Sequence, residues 1–194
     1  MVLIFVPVQT TVEELLFRGF LLQFFAKKIS NPIFLSILMA IIFGVLHFSN
    51  PEMDRSVVWV GLNYVFSGFM LTLIAIKMGQ SELSVGMHAA NNMFLSWFIT
   101  DAGSVNGDIP SLFEVNNINP FFSLIWSICV FTYFYIMSLR KFKGNRKKNP
   151  IVLCRIYQLI IFSSNYSLCV RINIFTYLLS LFIIVIFTRF FIGE

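Results

Sequence analysis

Glu13 and Glu14, with Arg18 four residues beyond the second of them, stand in a stretch (Val12 to Phe20) that is otherwise apolar enough for lipid. A charged side chain near a bilayer centre costs about 2.5–3.5 kcal/mol on insertion scales, so it persists where it is paired or lines a protein cavity. Side chains four apart share a helix face, and Glu14 and Arg18 stand in the favourable acid-before-base order, so they read as a neutralising, structural ion pair. Glu13 points toward the face of Gln9 and Phe17 and has no basic partner at helical spacing. The chain's only two histidines join it. His47 lies one turn beyond Phe43, whose ring could wall a site that the imidazole enters, and His88 shares a face with Asn92. Such a set supplies a general base, a water-orienting imidazole and hydrogen-bond donors for an oxyanion. That is the equipment of peptide hydrolysis with water as nucleophile, which needs no serine or cysteine activated by an adjacent base.

The elements that must carry these residues are membrane helices. Of 194 residues 58% are hydrophobic and only 12% charged, whereas soluble domains run near about 45–50% apolar and about 25% charged. The fold class expected is an all-α, polytopic membrane helix bundle with five or six transmembrane helices, each of about 20 apolar residues. The spans run from about Val2 to Ala26, Pro32 to His47, Val57 to Met78, Ser84 to Thr100 and Pro120 to Leu139, with a sixth from Phe175 to Ile192. The stretch Ile151 to Ser163 is too short to span and is expected to lie at the interface.

Charge placement agrees with five alternating spans and an outer N-terminus. Lys27 and Lys28, Lys77, and the cluster Arg140 to Lys148 follow the first, third and fifth spans, while Glu52, Asp54, Arg55 and then Asp101, Asp108 and Glu114 occupy the intervening loops. The net charge of +5 comes mainly from that cluster, which reads as an anchor against anionic headgroups. Nucleic acid is not an expected partner, since no soluble basic face with interleaved aromatics is evident. Three cysteines, Cys129, Cys154 and Cys169, are odd in number and lack metal-site spacing, which argues against a disulfide framework or redox motif. Met1 leads into an apolar run without the basic opening of a cleaved signal.

Together, Glu13-Glu14-x-x-x-Arg18, Phe43-x-x-x-His47 and His88-x-x-x-Asn92, in that order on successive spans, resemble the three motifs of the CPBP family, the CAAX-protease and bacteriocin-processing (Abi) proteins of the membrane. Each motif alone is weak; three in order inside spans are specific. The resemblance covers residues 1–148, expected to form a protease core, and leaves residues 149–194 as an unassigned tail. It implies that Glu13 with His47 activates water, that His88 and Asn92 stabilise the tetrahedral oxyanion, and that Glu14 and Arg18 hold the first motif. It also implies membrane lipid and a membrane-associated peptide or lipidated protein as partners, in a multi-pass protein of a bacterial plasma membrane.

The family is often labelled a metalloprotease, and Glu13, His47 and His88 could make a two-histidine, one-carboxylate zinc site with water as fourth ligand. The His-Glu-x-x-His pattern is absent, and a metal-free glutamate mechanism is slightly favoured. Family members have spans before the first motif, so the chain is expected to be truncated at its N-terminus. Two other functions fit the polar cluster: a non-catalytic bacteriocin immunity or scaffold protein, and, ranked behind it, a proton or ion carrier, which would show internal symmetry. Depth poses a problem for any joint site. Glu13 lies about 20 Å from the Lys27 end of its span, whereas His88 lies only about 6–10 Å from the start of the fourth. Straight helices would not bring them level, so the first helix is expected to break or tilt near Gly19, or the span ends to lie several residues away.

Overall fold

The computed structural model describes residues 2–141, apart from positions 80, 102, 106, 108, 116 and 117. The expected tail, the sixth span, the interfacial stretch and most of the basic cluster lie outside the described residues.

The first helix starts as α1 (Val2–Glu14), passes through a π-helical segment (Leu15–Leu21) and ends as α2 (Leu22–Ala26). Glu14, Leu21 and Leu22, at the joints, all keep right-handed helical dihedrals, so the helix is modified without being broken. Pro7 interrupts the backbone ladder inside α1. Hydroxyls fill in nearby: Thr10 Oγ1 donates to the Val6 carbonyl at 2.9 Å, and Thr11 Oγ1 to that of Pro7. Val6, Thr10, Glu14, Phe17 and Arg18 form the buried side of this helix. Its outer side is a run of exposed apolar residues that includes Ile4, Val8, Val12, Leu16 and Phe20.

Helix α3 (Pro32–Leu46) opens on Asn31, whose side chain accepts from the backbone N–H groups of Ile33 and Phe34, with Pro32 at the first helical position, where its missing N–H costs nothing. A 3₁₀ turn (Pro51–Arg55) leads to α4 (Val57–Met78), capped by Ser56 and stopped by Gly79. Gly79 has φ +68°, the left-handed conformation that glycine adopts without a Cβ penalty. Next come α5 (Glu82–Phe98), a parallel pair β1 (Ile99–Thr100) and β2 (Phe113–Glu114), and α6 (Pro120–Lys141). Ile99 and Thr100, assigned to the fourth span by hydropathy, leave the helix because they pair with Phe113 and Glu114. That helix also starts earlier, at Glu82 rather than Ser84.

Helix α4 is the centre of the bundle, packing on α3, α5 and α6, while α1 packs on α5. One core cluster joins Met70, Leu71 and Ile74 of α4 to Leu83 and Met87 of α5 and to Phe131 and Phe134 of α6. A second joins Phe17 and Leu22 to Leu35, Met39 and Phe43 of α3 and Ala75 of α4. Among the described residues, two helices are long and apolar enough to cross a membrane, Val57–Met78 and Pro120–Arg140, and Pro32–Leu46 is a shorter apolar helix.

The α3–α4 contact is close at Gly44, where an added Cβ would stand 2.5 Å from Val65 Cγ2. Gly44→Leu is expected to destabilise the protein by about 1–3 kcal/mol through overpacking. The measurement is the thermal midpoint in detergent, with Ile41→Leu on the exposed side of the same helix as a control that moves little.

Two loops far apart in sequence are tied together. Arg55 pairs with Asp101 and donates from Nη2 to the Gly103 carbonyl at 3.0 Å, while Glu52 Oε1 accepts from the Val105 N–H at 2.9 Å. These are the loops that charge placement puts on one side of the membrane.

Candidate functional site

The site forms where α1 meets α5, against the C-terminal turn of α3. Glu14 is fully buried, and its Oε1 accepts two charge-assisted bonds, one from Arg18 Nη1 and one from His88 Nδ1, each at 2.8 Å. The expected Glu14–Arg18 pair is therefore present, but Glu14 has a second role that spacing did not reveal. It holds His88 from another helix and fixes the ring so that Nδ1 carries a proton and Nε2 faces away.

Arg18 is just as buried. Its Nη2 donates to the Gly68 carbonyl at 3.0 Å, and its guanidinium lies 5.1 Å from the Phe43 ring centroid and 5.5 Å from that of Phe17. Gly68 is glycine for a steric reason, since a Cβ there would come within 3.0 Å of Phe43. Glu14 Oε2 and Arg18 Nε are buried with no partner among the described residues.

Glu13 sits at the rim, its side chain 24% exposed. Gln9, one turn earlier, donates from Nε2 to Glu13 Oε1 at 3.1 Å, while Oε2 faces His88 Nε2 at 3.8 Å. That separation is beyond a direct hydrogen bond. Thus a second-helix imidazole lies between two carboxylates, bonded to one and open toward the other.

His47 is the residue just after α3, and its Nδ1 lies 2.7 Å from the Phe43 carbonyl oxygen. A carbonyl only accepts, so Nδ1 carries the proton and Nε2 presents a lone pair. The His47 ring lies 4.3 Å from that of Phe43, tilted by 33°, and stacks 4.6 Å from that of Tyr64, and Phe43 also meets His88 edge-on at 5.9 Å. Phe43 thus packs against both histidine rings. Glu13 and His47, paired by the family resemblance, share no direct bond among the described residues. On α5, Asn91 Nδ2 donates to Asn92 Oδ1 at 3.2 Å, so the Asn92 oxygen is engaged by its neighbour.

Glu13 and His88 therefore come level, despite the depth expected from straight helices. Two features narrow the gap: α5 starts before the predicted span, and the first helix widens into a π turn immediately after Glu14, with Gly19 inside it. Such π turns are frequent at functional sites. Tyr64, Asn50, Gly68 and Gln9 were not singled out by the sequence as members of the site. Only Gln9 carried a signal, its i, i+4 spacing to Glu13.

As zinc ligands, Glu13, His47 and His88 do not fit: among the described residues, no group of three or more His, Cys, Asp or Glu side chains could hold a metal ion.

Comparison with known proteins gives two matches. The family model for Rce1-like proteins, type II CAAX prenyl endopeptidase Rce1-like, matches residues 1–94, a segment that contains all three motifs. The Bacillus subtilis (strain 168) "Uncharacterized protein YyaK" is 49% identical over 146 residues, which cover 75% of this chain and 49% of that protein. The chain thus spans about half the length of this relative. No solved structure gives a significant match.

Proposed function

From the match of residues 1–94 to the Rce1-like family model, we propose that the chain is a type II CAAX prenyl endopeptidase-like protein, a multi-pass intramembrane endopeptidase acting on a membrane-associated peptide. A prenylated CAAX-type tail is the first substrate class to consider, and a bacteriocin leader the second. The core is residues 1–148, in a bacterial plasma membrane, and the outward apolar faces of α1 and α6 meet lipid. The observation that carries the reading is the Glu13–His88–Glu14 arrangement across α1 and α5, in which one carboxylate orients an imidazole and the other stands open beside it.

In the proposed reaction Glu13 takes a proton from water as the water oxygen bonds to the scissile carbonyl carbon. Gln9 holds Oε1, so Oε2 is the basic atom. His47 Nε2, the lone-pair end of its ring, accepts the water's other proton as a hydrogen bond and orients the attack. The tetrahedral oxyanion receives the Asn92 NH₂ and, when His88 is an imidazolium countered by Glu14, its Nε2–H. Glu13 then passes its proton to the leaving nitrogen as the C–N bond breaks, giving a carboxylic acid and an amine; the acid then ionises by giving its proton to solvent. No step uses a metal ion.

Asn92→Ala is expected to lower kcat about 10²–10³-fold, as loss of one oxyanion donor does, with KM little changed. Steady-state cleavage of a labelled peptide checks this. The enzyme reading itself is tested with purified full chain in liposomes, a fluorogenic lipidated peptide, and His47→Ala as control. Proton flux without cleavage would favour a carrier, and binding without either would favour an immunity or scaffold role.

A further inference from the structure

We infer that Tyr64 and Asn50 are positioning residues for His47, a latch that holds its imidazole at the angle the proposed chemistry needs. This rests on the proteolytic reading of the site. His47 is poorly placed to hold itself. It stands just beyond α3, at φ −98° and ψ 1°, where the regular helical ladder has ended. The bond to the Phe43 carbonyl fixes one nitrogen, and Phe43 covers one ring face.

Tyr64, from α4, covers the other face at 4.6 Å and 27°, so the imidazole is sandwiched between aromatic rings from two helices. Tyr64 is itself held. Its hydroxyl accepts from Asn50 Nδ2 at 2.9 Å, and the Asn50 backbone N–H donates to the His47 carbonyl at 3.1 Å. The contacts thus form a closed loop, running from the His47 backbone through Asn50 and the Tyr64 hydroxyl back to the His47 ring. Such a loop limits tilt of the ring, which would otherwise pivot about its single hydrogen bond and swing Nε2 away from the water. Displacement of a reacting group by about 1 Å can cost 10²-fold in rate.

The test exploits the presence of two histidines alone. The full chain, labelled with ¹⁵N-histidine and placed in nanodiscs, gives two sets of imidazole signals, assigned with His88→Gln. His47 is expected as the Nδ1–H tautomer alone in the parent, and as an exchanging mixture in Tyr64→Leu, while the His88 signals stay in place. In cleavage assays Tyr64→Leu is expected to lower kcat up to about 10²-fold with KM little changed. Tyr64→Phe and Asn50→Ala, which remove one hydrogen bond and keep the stack, are expected to lower kcat about fivefold.

An unchanged His47 signal in Tyr64→Leu would overturn the inference, as would a fall in kcat with no change in the ring signals. If Tyr64→Leu does not assemble, as judged from lost His88 signals, Tyr64→Phe and Asn50→Ala decide the matter by the same readout. The ring state is read without substrate. Absence of cleavage by the parent therefore counts against the proteolytic reading, and an undisturbed ring against the latch.

Discussion

Glu13→Gln is expected to reduce peptide cleavage by about 10²–10⁴-fold, the range supplied by general base catalysis, without measurable loss of stability. The substitution is nearly isosteric and keeps an oxygen for the Gln9 bond. It removes the capacity to accept a proton from water. The residue is partly exposed and makes no buried ion pair, so the thermal midpoint is expected to stay where it is. Side-by-side kcat/KM and thermal unfolding in detergent check both halves. Loss of activity with an unchanged midpoint separates a reacting carboxylate from a structural one.

The neighbouring carboxylate predicts the opposite pattern. Arg18→Met is expected to destabilise the protein by about 3–5 kcal/mol, because it leaves Glu14 as a buried charge deprived of its guanidinium. The loss extends to the Gly68 carbonyl and to the Phe17 and Phe43 rings, all of which Arg18 touches. Glu14→Gln combined with Arg18→Met removes both charges and is expected to regain much of that stability. It is nevertheless expected to stay inactive, since His88 loses the carboxylate that orients it. Reversible unfolding measured for the single and double variants, together with cleavage rates, separates the two roles of Glu14.

Much of the helical frame is legible in the sequence, for a plain reason. Apolar runs end where charges, Pro32, Ser56 and Gly79 make continuation costly, so the helices at 32–46 and 57–78 begin and stop within a residue of their expected ends. Within the site, spacing reveals pairs on one helix. Glu14 with Arg18, Gln9 with Glu13 and Phe43 with His47 all meet as i, i+4 neighbours.

Contacts between helices are not legible in this way. Glu14 and His88 are 74 positions apart, and the spacing assigned Glu14 wholly to Arg18. Tyr64 on His47 is a second such case, carried by an unremarkable aromatic residue in an apolar helix. The π turn is a third. Counting at 3.6 residues per turn assumes an unbroken α-helix, and part of the depth mismatch between Glu13 and His88 came from that assumption and from a fourth span begun two residues late.

The central claim is that this cluster hydrolyses a peptide bond with water inside the membrane. Its most direct measurement is mass spectrometry of a lipidated peptide incubated in H₂¹⁸O with the full chain in liposomes. The expected result is an N-terminal fragment whose new carboxyl group carries one ¹⁸O, produced by the parent and not by Glu13→Gln. Intact peptide in the presence of correctly inserted parent protein, or equal cleavage by Glu13→Gln, would contradict the account.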